Sequence, residues 1–494
     1  MYRKIIARKY KSRILLVSIL IFALALRLIF FTGIGPSDSL SYTATADMLA
    51  EGESIGEERA YGLRLGIIFP VSALYSIFGV NEFSSNILTL LISLASIVLI
   101  YNFGKFLFND KVALLSAFLL SFFPFDVVYS TRLMTDLPSA FFVASSVYFF
   151  LKSEKINKIT ISNWYLIFSG LFLGIAYLIR ELSLLIGLFF LIYFIYNKKI
   201  RSRYLFIVLG FFVIISFELL YFLIITGNPL FRYLTSSSGA IANIIATNMY
   251  GRGSLPFSLL HYPYIILTDN LLGLFYPFIF IAIVFCIVNK KKETHNLLFW
   301  FIPLLLYISF GSISLTRYIP IPASARFLSI ITIPGILLLS YFLMQNENLI
   351  KRVLMAAIVL LLLTTSIGYI YISEHRFSLD DERSMYKYLE MLPEKEIYTD
   401  FRSAGIFDYL SGYRKSNIKR FNTYDNLKPE NINALNLSQI EDSYVILNWE
   451  MNNYLLINRE GIKFPEEIFN IPQEWILKKK IDDGENRIEI YYIP

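Results

Sequence analysis

The sequence predicts an all-α polytopic membrane domain of about eleven transmembrane helices, followed by a small α/β domain outside the membrane; three observations carry that expectation. Of 494 residues, 56% are hydrophobic and 17% aromatic against 17% charged, which is more apolar surface than one soluble core hides. The apolar residues gather in runs close to bilayer length. The charge also divides: residues 1–373 are strongly basic and 374–494 net acidic, beneath an overall +7.

A spanning helix needs about 20 mainly apolar residues, because unpaired backbone groups are costly in lipid. Segments near 14–33, 84–104, 112–130, 136–152, 164–180, 182–197, 204–226, 264–289, 297–314, 326–345 and 351–373 approach that length. The first follows a basic tail, 1–13, and continues through Arg27 to Phe31 with no small-residue cleavage site, as a retained signal anchor does. The pair meeting at Arg180-Glu181 is short for two crossings and has no Gly or Pro in its turn, so one span or two stays open.

Alternating the loops from a cytoplasmic amino terminus puts twenty Lys and Arg inside and eight outside, the bias that orients helices during insertion. The carboxy-terminal domain then lies outside the cell membrane. All eight outside cations are Arg, whose planar fork suits phosphate, although arginines at helix ends also serve as interfacial anchors. The lone cysteine, Cys286, sits in an apolar run, which excludes a disulfide framework. Nucleic acid is not an expected partner.

Residues 374–494 read as a soluble α/β unit. Leu379–Leu392 is expected as a helix, Glu396–Asp400 and Tyr444–Trp449 as strands, and Trp475–Ile481 with Arg487–Ile493 as a hairpin turning at Asp482-Asp483-Gly484-Glu485. With no Gly-rich phosphate loop, His cluster or nucleophile elbow, it suits a lid or docking module.

Chemistry is expected where carboxylates and arginines meet the outer face. In the first outer loop, 34–83, Gly35-Pro36-Ser37-Asp38 forms a turn in which Ser37 or Asp38 can cap a helix; Tyr42, Ala46 and Leu49 then share a face. Beyond a span, Asp38 can equally act as a general base on an acceptor hydroxyl or orient a sugar. Asp136, two residues before Pro138, is the second outward carboxylate, with helix capping as its plain alternative. Arg64, Arg180, Arg317 and Arg326 are the candidate phosphate cations; Arg180 and Glu181, between apolar helices, must pair or face a wet cavity. Arg317 and Arg326 flank a loop stiffened by Pro320 and Pro322, suited to holding a guanidinium on a leaving phosphate. Within the spans, Arg27, Asp126 and Glu218 call for partners, and a structural ion pair is expected for Arg27 and Glu218. His261 is expected to be structural. Two carboxylates can share a divalent cation, although no ligand spacing demands one.

Asp38 with Tyr42, Ala46 and Leu49, the run Gly62 through Pro70-Val71-Ser72-Ala73-Leu74-Tyr75-Ser76-Ile77-Phe78-Gly79, and Asp136-Leu137-Pro138 together resemble the GT-C glycosyltransferases. The likeness is to the protein O-mannosyltransferase and aminoarabinose-transferase group. Gly170 through Arg180, and Arg326-Phe327-Leu328 followed by Pro334-Gly335, extend it over about residues 14–345. The resemblance implies a polyprenyl-phosphate sugar as donor, a lipid, glycan or protein acceptor, and interfacial helices in 48–79. It also implies Asp38 as the catalytic or acceptor-positioning residue, Asp136 as the second acidic site, and Arg180 and Arg326 as lipid-phosphate contacts. Tyr42, Arg64, Glu181 and Arg317 complete the expected substrate-binding set. Relatives often carry adjacent acids where this chain has Asp38-Ser39, and the Trp-Trp-Asp signature of oligosaccharyltransferases is absent. The expected activity is an inverting sugar transfer. The rival is a flippase for lipid-linked saccharides, which would show internal repeats with broken helices; a ligand sensor ranks last, for want of a cytoplasmic output domain.

Overall fold

The computed structural model describes residues 2–494 apart from 37, 56–62, 199–200, 236–256, 313–317, 346–347, 378, 416, 423–434, 459–463 and 483–486. Arg317 and most of the 482–485 turn lie outside the described residues.

Each expected apolar segment contains helix. In chain order these are α1 (Tyr2–Ile29), α2 (Asp38–Ala50), α3 (Leu65–Phe78), α4 (Glu82–Leu107), α5 (Asp110–Ser121), α6 (Pro124–Ser130), α7 (Asp136–Lys155), α8 (Ile159–Ile179), α9 (Gly187–Asn197), α10 (Leu205–Thr226), α11 (His261–Thr268), α12 (Phe275–Val288), α13 (His295–Phe310), α14 (Ser329–Leu343) and α15 (Leu349–Phe377). Among the described residues, six helices are long and apolar enough to cross a membrane alone, and the pair α5–α6 makes a seventh if counted as one span. The expected continuous run 112–130 is therefore a pair bent by 58°, with Pro124 opening its second part. The run 264–289 is likewise split, because the chain turns at Asp269–Leu274 between α11 and α12. At 164–197 the chain breaks at Arg180, whose backbone is extended (φ −160°), and a 3-10 turn Glu181–Ile186 leads into α9.

Small residues set the helix contacts. At Gly170 an added Cβ would lie 2.0 Å from the Ile207 carbonyl oxygen, and at Gly210 2.3 Å from that of Ile167, so α8 and α10 pack backbone to backbone. Between α1 and α4, the helices α2 and α3 fold against each other and against the end of the bundle.

The carboxy-terminal part holds a five-stranded sheet in the order β2-β1-β3-β5-β4, with β1 (Ile397–Thr399) parallel to β2 (Ile418–Arg420) and β3 (Ser443–Asn448), and β5 (Arg487–Ile493) antiparallel to β3 and β4 (Ile476–Asp482). Period-two alternation divides its side chains. Ile397, Tyr444, Ile446, Ile488 and Ile490 pack with Met385 and Phe407, while Tyr398, Val445, Leu447 and Tyr491 pack with Phe421 and Ile468. Helices α16 (Asp380–Leu389), α17 (Phe401–Leu410) and α18 (Trp449–Asn458) complete it. α16 and the hairpin match the expectation; α17, α18 and β2 were not foreseen. The unit docks on α2 and the start of α4: Arg383 Nη2 donates to Glu82 at 2.6 Å, the hydroxyls of Tyr409 and Ser85 are 2.9 Å apart, and those of Tyr413 and Thr43 2.7 Å.

Candidate active site at one end of the bundle

Residues spread over nearly 300 positions meet where α2 begins. Asp38 is the first residue of α2, and instead of capping the helix its Oδ2 accepts from Arg326 Nη1 at 2.8 Å. The Asp38 side chain keeps 41% of its surface and Arg326 28%, so the pair stands in a recess that solvent reaches. That recess pushes the Asp38 pKa up, but the charge and hydrogen bond of Arg326, with Arg64 and Arg180 behind it, pull harder and hold it below the usual carboxylate value. An ionised carboxylate ringed by guanidinium groups results.

Each arginine has its own local reason for being there. Arg64, at the start of α3, donates to the Ile179 carbonyl at 3.1 Å and meets Glu181 Oε2 at 3.1 Å. Gly66 permits that approach, since a Cβ there would lie 2.7 Å from Ile179 Cγ1 and 3.0 Å from its backbone nitrogen. Arg180 emerges where α8 ends, packs its guanidinium 4.6 Å from the Phe327 ring, and forms an ion pair with Asp136. Arg132 lies across Gly35, where any Cβ would collide with its guanidinium, and so reaches the neighbourhood of Asp38 and Arg326.

Several expectations need correction. Asp136 is 1% exposed and ion-paired with Arg180, so it does not cap its helix and is closed off from solvent. Arg180 and Glu181 do not pair with each other. Glu181 Oε1 instead accepts from Arg232 at 2.6 Å while Arg64 holds its other oxygen, which makes Glu181 a counter-ion for two arginines. Arg27 and Glu218 do not pair either. Arg27 Nη2 reaches Asp126 at 2.5 Å, and Glu218 accepts from Arg232 Nη1 at 2.5 Å. Tyr42 is 4% exposed and packs among Ile34, Ala46 and Ile67, with its hydroxyl pKa raised by burial and offset by Arg64; it belongs to the floor of the site. His261 stacks edge-on to Tyr264 at 6.2 Å.

Arg132 and Arg232 were missed as site residues. Both belong to the set of arginines in loops expected outside, and the absence of lysine from those loops was the signal available. Among the described residues, Arg64, Arg180, Arg232 and Arg326 are ion-paired with Asp38, Asp136, Glu181 and Glu218, and Arg132 lies close enough to Asp38 and Arg326 to feel their charge. Among the described residues no group of three or more His, Cys, Asp or Glu is placed to hold a metal ion.

The chain has the fold of known membrane enzymes. ArnT from Cupriavidus metallidurans in the apo state superposes with a TM-score of 0.62 at 13% identity, over 96% of this chain and 97% of that one. ArnT bound to undecaprenyl phosphate gives the same score and identity over 97% of each. The archaeal oligosaccharyltransferase AglB from Archaeoglobus fulgidus, in complex with an inhibitory peptide and a dolichol-phosphate, scores 0.56 at 13% identity over 92% of this chain and 72% of that one. No curated protein matches the sequence. Seen with its site, the chain is a polytopic membrane protein of the GT-C glycosyltransferase fold. Within that fold, residues 67–225 match the family described as dolichyl-phosphate-mannose-protein mannosyltransferase, in line with the motifs that pointed to the mannosyltransferase and aminoarabinose-transferase group.

Proposed function

We propose that this protein is a glycosyltransferase that moves a sugar from a polyprenyl-phosphate donor to a lipid, glycan or protein acceptor at the outer face of the cell membrane, with its amino terminus in the cytoplasm. The observation that carries the proposal is an accessible, ionised Asp38 paired with a partly exposed Arg326 and set beside Arg64 and Arg180. Arg326, Arg180, Arg64 and Arg132 hold the phosphate and stabilise the charge that grows on it as the glycosyl–phosphate bond breaks. Asp38 accepts a hydrogen bond from the incoming hydroxyl and takes its proton as the new bond forms on the opposite side of the sugar, which inverts the anomeric centre. Its low pKa makes it a weak base and a good orienting group, so most of the rate is assigned to positioning and to the arginines. Asp136 keeps Arg180 aimed, and Arg232 with Glu181 keeps Arg64 aimed; these are positioning residues.

The test is Asp38→Asn in membranes supplied with a labelled polyprenyl-phosphate sugar. Transfer is expected to fall by about 100-fold or more at normal protein levels. Undiminished transfer would remove Asp38 from the mechanism.

A further inference from the structure

A second polar site lies at the opposite end of the bundle. Helix α7 starts at Asp136, inside the arginine cluster, and ends at Lys155; its 20 residues span about 30 Å, the depth of a bilayer's hydrocarbon core. Around its far end a cavity of about 270 Å³ is lined by Glu154, Lys155, Tyr193, Asn197, Arg201 and Asn296, with Phe106, Leu107 and Leu151 as its apolar wall. It is built from the ends of α4, α7 and α9 and the beginning of α13.

The charge within it is uneven. Glu154 is the only acid in the lining; it is bonded by Arg203 and lies 3.6 Å from Arg201. Arg203, behind the lining, is tied as well to Ser162 at 3.0 Å and shares Glu154 with Arg201. Lys155 Nζ is held over the Phe106 ring at 4.2 Å and donates to the Phe106 carbonyl at 3.3 Å, a neutral acceptor that leaves its charge in place. Arg201 keeps 40% of its side-chain surface. With Arg203 counted, three cations stand against one carboxylate among the described residues here, and the lining presents two of them in different geometry, a compact ammonium and a planar fork, with two amides beside them. Ile195 and Tyr196, just before Asn197, and Leu205, just after Arg201, are exposed apolar side chains on the outer surface of the helices. A headgroup in the cavity would therefore leave its acyl chains on apolar protein.

We propose that this cavity binds the phosphate-bearing headgroup of an anionic glycerophospholipid, in the leaflet opposite the arginine cluster. Lys155 and Arg201 take the phosphate oxygens, and Asn197 and Asn296 the glycerol hydroxyls. Volume, charge and depth agree on that class: the space admits a glycerophosphate but not a folded partner, and the site sits at a membrane boundary. It is independent of the sugar-transfer proposal, which concerns the other end.

The experiment is thermal unfolding of the purified full-length protein in neutral detergent with added phosphatidylglycerol, phosphatidylcholine, or sodium phosphate alone. Phosphatidylglycerol should raise Tm by about 2 °C or more over phosphatidylcholine. The doubly substituted Lys155→Gln, Arg201→Gln protein should lose that gain, whereas Lys111→Gln, an exposed cation on α5 at the same end, should keep it. Asn296→Trp, which fills the cavity without changing charge, should lose it too and guards against a double variant that folds poorly. A gain of equal size in both cavity variants, or one given equally by phosphatidylcholine, would overturn the proposal. A response to sodium phosphate with none to phosphatidylglycerol would overturn the lipid assignment.

Discussion

Two clusters of arginine and aspartate in this protein use the same groups to opposite ends. Inside the bundle, Arg27 is fully buried: its Nε donates to Ser93 at 2.7 Å, Nη1 to the carbonyls of Ala23 and Ser121 at 2.9 Å each, and Nη2 to Asp126. Ser93 donates to the same Asp126 oxygen. That pair is closed, with as many negative charges as positive and its donors shared among protein acceptors. At the head of α2, Asp38 and Arg326 are partly open, and further guanidinium groups crowd the same space. The difference shows how to read a charge beside or within a span: saturated and buried clusters hold helices together, while clusters left open to solvent are where a ligand can reach the charges.

The sharpest way to break the comparison is to unpair the closed cluster. Arg27→Met strands Asp126 in an apolar interior, and we expect a loss of about 3–5 kcal/mol, seen as a collapse of folded yield in detergent. A variant as stable as the parent would show that the closed pair holds nothing. A smaller effect comes from a carboxylate paired with no cation among the described residues. Glu382 opens α16, is 7% exposed, and accepts from the Asn448 amide at 3.1 Å. Burial pushes its pKa up to about 7, with Asn448 opposing. Because the folded value lies above the unfolded one of about 4.3, the protonated form favours folding. That stability is complete below the unfolded value and is lost as pH rises towards 7. Glu382→Gln should therefore unfold at a higher temperature than the parent at pH 8, by on the order of 2 kcal/mol, and the gap should narrow towards pH 5. Parallel Tm profiles from pH 5 to 8 would contradict this.

Much of the fold was legible because lipid leaves few options: an apolar run of bilayer length must be helical. Where the run concealed a bend, as at Pro124, or a turn, as at Asp269–Leu274, hydropathy alone could not show it. The hairpin of β4 and β5 announced itself by alternation, whereas α17 and β2 are short elements held by contacts with the rest of the sheet. Asp38, Arg64, Arg180 and Arg326 could be picked out singly, since each is a charge in a loop or helix end beside an apolar run. Their pairings could not. Asp136 with Arg180, Glu181 with Arg64 and Arg232, and Arg27 with Asp126 depend on which helices are neighbours, and no local pattern encodes that.

Binding of undecaprenyl phosphate to the purified protein tests most directly whether the open cluster is a lipid-phosphate site. Arg326→Gln removes a partly exposed guanidinium and leaves Asp38 in contact with solvent, so the fold should persist. We expect the variant to bind about 10-fold more weakly than the parent, with Tm close to unchanged. Equal affinity in the two proteins would contradict the account.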